Sequence, residues 1–253
     1  MKDKKAIIID LDGTLFNSDK TISQNNLEII NRCISLDYII IIATARPLRT
    51  VKKRLPIELN YHYLVLCNGA WIIKDDEIIY RNEIKSEIVL GIKEKLVSHG
   101  FKPSIEADNC FFTDSQPAPH FEGHYFPLNA YKNTDACKIL SYMPDGANKD
   151  MIKEFIPDNL TITITDGDTL VQISTLNCTK LTACRKIFEI ERVYKKNTYA
   201  FGDDNNDIPV FEFVEAGIAM QNATNELKKI AKYITFSNDN DGVGKGIEKY
   251  ILL

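Results

Sequence analysis

Short apolar segments rich in β-branched residues alternate with amphipathic segments at both ends of this chain. KAIIID and YIIIIA have the composition of buried strands, and between them Asn25 to Leu36 places Leu27, Ile30 and Ile34 on one helical face. The alternation resumes after Thr179 with the strand-like segments NTYAFG, AGIAM and YITF. This pattern is typical of a parallel sheet covered by helices, so we predict an α/β fold with a Rossmann-like, three-layer core.

The alternation is interrupted in the middle of the chain. WIIKDDEIIYR predicts a hairpin, and the pattern from about Ile84 to Leu176 then mixes helical and strand-like stretches. We therefore predict a core split in sequence. Its first part covers residues 1–82, an inserted α+β domain covers residues 83–176, and its second part covers residues 177–253.

Charge and apolar run lengths exclude several classes of protein. Lys and Arg total 31 against 35 for Asp and Glu, which leaves no basic surplus for a nucleic-acid backbone. The longest apolar run, Tyr38 to Ala43, is far shorter than the roughly 20 residues of a membrane helix. We expect a cytoplasmic protein, monomeric or homodimeric, that binds neither nucleic acid nor membrane.

Two aspartates follow the first predicted strand. Asp10 and Asp12 stand where the chain leaves the sheet at Gly13, and ligands of open α/β sheets bind at this carboxyl end of the strands. Both carboxylates can therefore converge on one substrate atom. The alternative interpretation is that Asp12-Gly13-Thr14 is only a strand-ending turn.

A second acidic cluster, GDDNND at residues 202–207, also follows an apolar strand. Its carboxylate and amide oxygens are ligands of the kind that Mg²⁺ prefers. A solvated turn or a helix cap is the alternative. The spacing differs from that of a calcium-binding loop.

Thr44 ends the second strand and Lys180 begins the helix that restarts the core. A hydroxyl and an ammonium can both bind phosphate oxygens. Either residue alone is weak evidence, because threonine commonly packs and lysine commonly lies at the surface. Together with the two acidic clusters they form a candidate phosphate site.

These motifs together resemble those of the haloacid dehalogenase superfamily, and in particular its Cof-type phosphatases with a class IIB cap. IIIDLDGTL resembles the first motif, IIATARP the second, Lys180 the third and FGDDNNDIPVF the fourth. The resemblance covers nearly the whole chain and implies a phosphoric monoester hydrolase. It also implies that the inserted domain is a cap that excludes water and contacts the leaving group.

The resemblance implies a role for each matching residue. Asp10 would attack phosphorus and become an aspartyl phosphate, and Asp12 would act as general acid and then general base. A magnesium ion would be bound by Asp10, by the main-chain carbonyl of Asp12, and by Asp203 and Asp207. The expected phosphate-binding residues are Thr44, Ala45 through its amide, Arg46, Lys180 and Asn206.

Two positions depart from the family pattern. Ala45 stands where glycine is usual in the second motif, which adds a methyl group beside a phosphate-binding amide. Leu181 stands where glycine usually follows the lysine. His120, Glu122 and His124 either line the leaving-group pocket, form a second metal site or belong to an ordinary surface loop.

The sequence leaves open which substrate is bound and whether the phosphoryl group is transferred to water. A small phosphorylated metabolite, with a sugar phosphate as the first guess, follows from the cap type by analogy. A sugar phosphomutase is the nearest alternative activity. A phosphoacceptor signalling domain would also phosphorylate an aspartate beside Mg²⁺, and a binding protein on an idle phosphatase scaffold is a further alternative. The acid at position 12 favours hydrolysis.

Overall fold

The computed structural model describes residues 3–116, 124–144, 149–165 and 169–252. The strands are β1 Lys5–Ile9, β2 Tyr38–Ala43, β3 Tyr63–Leu66, β4 Trp71–Lys74, β5 Glu77–Arg81, β6 Ser104–Ala107, β7 Cys110–Thr113, β8 Tyr125–Phe126, β9 Ala136–Tyr142, β10 Leu160–Thr165, β11 Leu170–Thr175, β12 Thr198–Gly202, β13 Ala216–Ala219 and β14 Tyr233–Ile234. The helices are α1 Gln24–Ser35, α2 Leu48–Arg54, α3 Ser86–Ser98, α4 Lys149–Lys153, α5 Lys180–Glu191, α6 Ile208–Phe213, α7 Asn225–Ile230 and α8 Gly242–Tyr250.

The chain divides into two compact units. The core unit comprises Met1–Arg46, Val51–Arg81 and Thr179–Leu253, and the inserted unit comprises Pro47–Thr50 and Asn82–Cys178. That the inserted unit works as a cap stays a prediction.

The core unit is built on one sheet with the strand order β14-β13-β12-β1-β2-β3-β4-β5. The pairings from β14 to β3 are all parallel, and the hairpin of β4 and β5 closes one edge in antiparallel fashion. Crossovers between the parallel strands are provided by helices such as α1, α5 and α6. The predicted α/β fold class is confirmed.

Burial on both faces explains why the central strands are apolar throughout. Ile7, Ile8 and Ile9 of β1 are each at most 3% exposed, as expected for strands covered by helices on both sides. Helix α1 begins after Ser23, whose hydroxyl accepts a hydrogen bond from the backbone N–H of Asn26. Strand β1 pairs with β2 and β12, so residues that follow these three strands lie at one edge of the sheet.

The inserted unit contains a six-stranded sheet with the order β10-β11-β9-β6-β7-β8. Its pairings are antiparallel except that of β7 with β8. Side chains from α3 and from the sheet, among them Val89, Ile105, Ile139 and Val171, form its separate apolar core. The inserted unit is therefore α+β.

Three details differ from the predicted elements. The apolar segment YLVLCNG predicts a third strand, but β3 ends at Leu66, because Cys67 and Asn68 take positive φ angles in a 3₁₀ turn. The sequence also predicts a helix from Ala223, whereas α7 begins at Asn225, with Thr224 as its N-cap. Helix α8 was not predicted.

No helix within the described ranges is both long and apolar enough to cross a membrane.

A charged cluster at the end of α5 leads to a prediction about acid stability. Glu191 accepts hydrogen bonds from Lys4 (2.6 Å), the Tyr63 hydroxyl (2.5 Å) and Lys74 (3.0 Å). Although burial raises the pKa of Glu191, these donors outweigh it and lower the pKa to about 2. The carboxylate therefore contributes stability above its unfolded-state pKa, and this contribution is lost as pH falls towards 2.

We expect Glu191→Gln to lower the free energy of unfolding by about 1–3 kcal/mol near neutral pH. The difference from the parent should shrink in acid, because protonation removes the same charge from the parent. Urea denaturation at a series of pH values measures both effects. Glu189→Gln, on the exposed surface of the same helix, is the matched control. An equal difference at all pH values would contradict the assignment.

Candidate functional site

Three adjacent strands bring the predicted residues to one edge of the core sheet. Asp10 follows β1, Thr44 follows β2 and Asp203 follows β12. The backbone N–H of Asp10 donates to the Phe201 carbonyl (3.1 Å), which continues the pairing of β1 with β12 beyond Ile9. The site is thus assembled from residues almost 200 positions apart.

A buried lysine joins two of the carboxylates. Lys180 Nζ lies 2.5 Å from Asp10 Oδ1 and 2.7 Å from Asp207 Oδ1, and its side chain is 1% exposed. The N-terminus of α5 holds this lysine in place, because the Thr179 hydroxyl accepts a hydrogen bond from the N–H of Thr182. A buried charge at this position requires its carboxylate partners.

The fourth motif places its two aspartates differently. Asp203 is half-buried, and its Oδ1 accepts a hydrogen bond from the Thr14 hydroxyl (2.9 Å). Asp207 is buried, and its Oδ2 accepts the backbone N–H groups of Asp203 (3.1 Å) and Asp204 (3.4 Å). Asp207 therefore stabilises the loop and Lys180, while Asp203 faces the first motif.

Gly13 allows this close approach. Its φ of +75° favours glycine, and a Cβ atom there would collide with the carboxylate of Asp203.

The three carboxylates have the chemistry of a divalent metal site. Ligand oxygens of Asp10, Asp203 and Asp207 lie within 4.8 Å of one another. When all three are ionised they carry three negative charges against the single charge of Lys180, so the buried cluster has an excess of negative charge. Oxygen ligands and uncompensated charge both fit Mg²⁺.

The pKa values of the cluster reflect this excess. Burial raises the pKa of Asp10 to about 8; Asp207 and Asp203 add to the rise, and Lys180 opposes it. Burial likewise raises the pKa of Asp203 to about 6, with Asp207 adding to the rise. For Lys180, the nearby carboxylates outweigh burial and raise the pKa. A bound cation would favour the ionised form of both aspartates.

The Asp12 carboxylate is held apart from this cluster. Arg46 donates to it from Nε (2.5 Å) and Nη2 (2.8 Å), and Lys20 Nζ donates to Oδ1 (2.9 Å). Burial raises the pKa of Asp12, but these two cations outweigh burial and lower the pKa below its usual value. The structure thus brings Asp12 to the site without placing its side chain among the three converging carboxylates.

A cavity of about 410 Å³ lies among the predicted residues. It is lined by Asp10, Asp12, Gly13, Thr44, Ala45, Asp203, Asp204 and Asn206. The buried Thr44 accepts the N–H of Arg46 on its hydroxyl oxygen (3.1 Å), so its own hydroxyl proton remains available to a ligand. Arg46 binds Asp12, and its contact with substrate stays a prediction.

The histidines predicted as alternatives are only partly covered by the structure. His120 and Glu122 lie outside the described residues. His124 is described and is exposed. The second metal site and the leaving-group pocket proposed for them stay predictions.

Sequence reasoning missed three residues of the site. Thr14 orients Asp203, Lys20 binds Asp12, and Asn222 donates to the Gly13 carbonyl (2.8 Å). Thr14 belongs to the first motif and could have been singled out as a hydroxyl donor. Lys20 and Asn222 lie in loops, where neither periodicity nor spacing predicts a contact.

Comparison with known proteins identifies the class that this fold and site define. The family model for haloacid dehalogenase-like hydrolases matches residues 7–247, so the chain belongs to that family. The 5-amino-6-(5-phospho-D-ribitylamino)uracil phosphatase YcsE of Bacillus subtilis is 27% identical over 252 residues, covering 99% of this chain and 97% of that protein. The phosphoglycolate phosphatase of Methanococcoides burtonii is 26% identical over 249 residues, covering 96% and 95%.

Solved structures show the same fold. BT1666 from Bacteroides thetaiotaomicron, a phosphatase of the superfamily, has a TM-score of 0.85 at 20% identity, covering 99% of this chain and 96% of that chain. The subclass IIB sugar phosphatase BT4131 has a TM-score of 0.78 at 22% identity, covering 98% and 100%. The chain is thus a haloacid dehalogenase-like hydrolase, and the relatives named above are phosphatases.

Proposed function

We propose that this phosphatase hydrolyses the phosphate monoester of a small metabolite, with sugar phosphates as the first substrate class, through an aspartyl phosphate on Asp10. The observation that carries the proposal is the position of the Asp10 carboxylate. It is buried at the end of β1, bound to Lys180, close to two further carboxylates and open to the cavity. The similarity to a subclass IIB sugar phosphatase supports the substrate class by analogy.

In the first half-reaction, a carboxylate oxygen of Asp10 forms a bond to phosphorus while the bond from phosphorus to the leaving oxygen breaks. Asp12 transfers a proton to that oxygen, and the product leaves as an alcohol. Arg46 and Lys20 stabilise ionised Asp12 in the free enzyme. Asp12 therefore takes up this proton from solvent water as the dianionic substrate binds, because the added negative charge favours its protonated form.

In the second half-reaction, Asp12 accepts a proton from water. The water oxygen bonds to phosphorus, the bond from phosphorus to Asp10 breaks, and inorganic phosphate is released. Lys180, Thr44, the Ala45 amide and Asn206 bind phosphate oxygens throughout. Ionised Asp12 is available for this step, which favours hydrolysis over a stored acyl phosphate.

Mg²⁺ at this site would offset the repulsion between the carboxylate and the phosphate. Asp10, Asp203 and the main-chain carbonyl of Asp12 would hold it. Asp207 would contribute directly or through water. Both of its oxygens already accept hydrogen bonds, which favours the contact through water.

Phosphate release from a panel of small phosphate monoesters, with Mg²⁺ or with EDTA, tests the proposal. We expect multiple turnovers with Mg²⁺ and at least about a hundredfold lower rate with chelator. Turnover without a bisphosphate activator would exclude the phosphomutase alternative. A persistent phosphoenzyme with no turnover would favour the signalling domain instead.

Thermal unfolding gives an independent readout of metal binding. Saturating Mg²⁺ should stabilise the parent by about 2.7 kcal/mol at a hundred times its dissociation constant. Asp203→Asn should remove most of this gain. The matched control is Asp204→Asn, which changes an exposed neighbouring carboxylate to an equally good cap. Equal stabilisation of both variants by Mg²⁺ would contradict the metal assignment.

A further inference from the structure

Lys20 contacts the group to which the proposed function assigns proton transfer. Its Nζ lies 2.9 Å from Asp12 Oδ1, on the carboxylate that Arg46 also binds. We propose that Lys20 is a positioning residue that fixes the Asp12 carboxylate for transfer of its proton to the leaving oxygen. This inference rests on the proposed function of Asp12.

The backbone of Lys20 is held in a conformation that lysine disfavours. Its φ is +66°, in the left-handed region that glycine and asparagine adopt more readily. A non-glycine residue remains in such a conformation only where its surroundings impose it. Glycine would fit this position with less strain, so the side chain is the feature that a lysine adds here.

Two sets of hydrogen bonds impose that conformation. Within the loop, the N–H of Asn17 donates to the Thr21 carbonyl (2.8 Å) and the N–H of Lys20 donates to the Asn17 carbonyl (2.9 Å). The loop is also attached to the C-terminal part of the core, because the N–H and the hydroxyl of Ser18 both donate to Asp239 (2.7 Å each). Lys20 is therefore presented from a fixed loop rather than from a freely moving one.

The two cations together restrict the Asp12 carboxylate. Arg46 binds both oxygens, and Lys20 binds Oδ1 from the loop. A carboxylate bound from two separate elements has little freedom to rotate, and general acid catalysis requires the proton donor to be within hydrogen-bond reach of the leaving oxygen. Lys20 supports this geometry without contacting phosphorus. Its charge also stabilises ionised Asp12, so the loss of activity expected when Lys20 is removed is the lost orientation of the carboxyl group less the gain from easier protonation.

Comparing substrates whose leaving groups differ in basicity distinguishes a role of Lys20 in proton transfer from a purely structural role. An alkoxide needs a proton from Asp12 as the bond to phosphorus breaks, whereas 4-nitrophenolate is a stable anion that needs little assistance. We expect Lys20→Gly to lower kcat/KM for an alkyl phosphate on the order of tenfold. The same variant should lower kcat/KM for 4-nitrophenyl phosphate less than about threefold, because kcat/KM reports the first half-reaction.

Further variants test whether the effect of Lys20→Gly comes from a change in folding or from the loss of charge. Lys20→Gly relieves the backbone strain, so its thermal midpoint should equal or exceed that of the parent. Lys20→Arg retains a cation and should restore most of the activity on the alkyl phosphate. Asp12→Asn is the reference, and it should show the same leaving-group dependence more strongly.

The outcomes distinguish the inference from the function on which it rests. An equal loss on both substrates in Lys20→Gly, or no loss on either, would overturn the role of Lys20. If Asp12→Asn itself shows no leaving-group dependence, the proposed role of Asp12 fails instead. A lower thermal midpoint with failed rescue by Lys20→Arg would assign Lys20 a structural role and would also overturn the inference.

Discussion

The Asp10→Asn variant should release phosphate at least about 10⁴-fold more slowly than the parent enzyme. An amide cannot form the acyl phosphate, and no other described carboxylate occupies the same position at the end of β1, bound to Lys180. The change is nearly isosteric. Steady-state phosphate release with Mg²⁺ measures the effect, and Asp204→Asn provides the control for the same chemical change at an exposed position.

Loss of activity in Asp10→Asn should occur without loss of the fold. Burial raises the pKa of Asp10 to about 8, so the folded protein already favours a neutral group at this position, and the neutral amide should be tolerated. The thermal midpoint should therefore be retained. Hydrolysis at the parental rate would rule out Asp10 as the nucleophile. A covalent phosphoenzyme that accumulates in Asp12→Asn but not in the double variant would locate the phosphoryl group on Asp10.

Lys180→Met should have the largest effect on stability. Its ammonium donates hydrogen bonds to both Asp10 Oδ1 and Asp207 Oδ1. Removing it leaves two buried carboxylates without their counter-charge, which typically costs about 3–5 kcal/mol. We expect a loss of this size in urea denaturation without metal. Because Lys180 is also a proposed phosphate ligand, kcat/KM should fall as well.

Added Mg²⁺ should recover part of the stability of Lys180→Met, since a cation at the cluster would offset the same charges. Lys229→Met, on the exposed surface of α7, removes the same charge from the chain and should change stability by less than about 0.5 kcal/mol. Adding Asp207→Asn to Lys180→Met should restore stability rather than lower it further. A loss no larger than that of Lys229→Met would contradict the account of this buried ion pair.

The elements that position Asp10, the proposed nucleophile, could be predicted from sequence, because local patterns determine them. Strand β1 is apolar on both faces, and α1 has an N-cap and a clear apolar face. The alternation of strands and helices then places Asp10, Thr44 and Asp203 at one sheet edge. The convergence of Asp10, Asp203 and Asp207 follows from topology together with the fourth motif.

Helix α8 could not be predicted in this way. It contains Gly242, Gly244 and Gly246, and glycine disfavours helices by about 1 kcal/mol at each position. Packing overrides that preference: a Cβ at Gly244 would meet the Asn26 side chain, and one at Gly246 would meet the Phe201 ring. Such tertiary contacts are not visible in a local pattern. Lys20 and Asn222 were missed for related reasons. The partner of Asn222 is far away in sequence, and the contact of Lys20 with Asp12 depends on the conformation of a loop.

The pairing of β1 with β12 has a consequence for protein synthesis. Asp10 leaves the ribosome before Lys180, Asp203 and β12, which follow some 170 to 190 residues later in the chain. Until then β1 lacks one of its two neighbours, and an unpaired strand edge is prone to aggregation. A nascent or truncated chain that ends before β12 therefore carries the proposed nucleophile but no assembled site, so we expect hydrolytic activity only after β12 and the fourth motif have been synthesised.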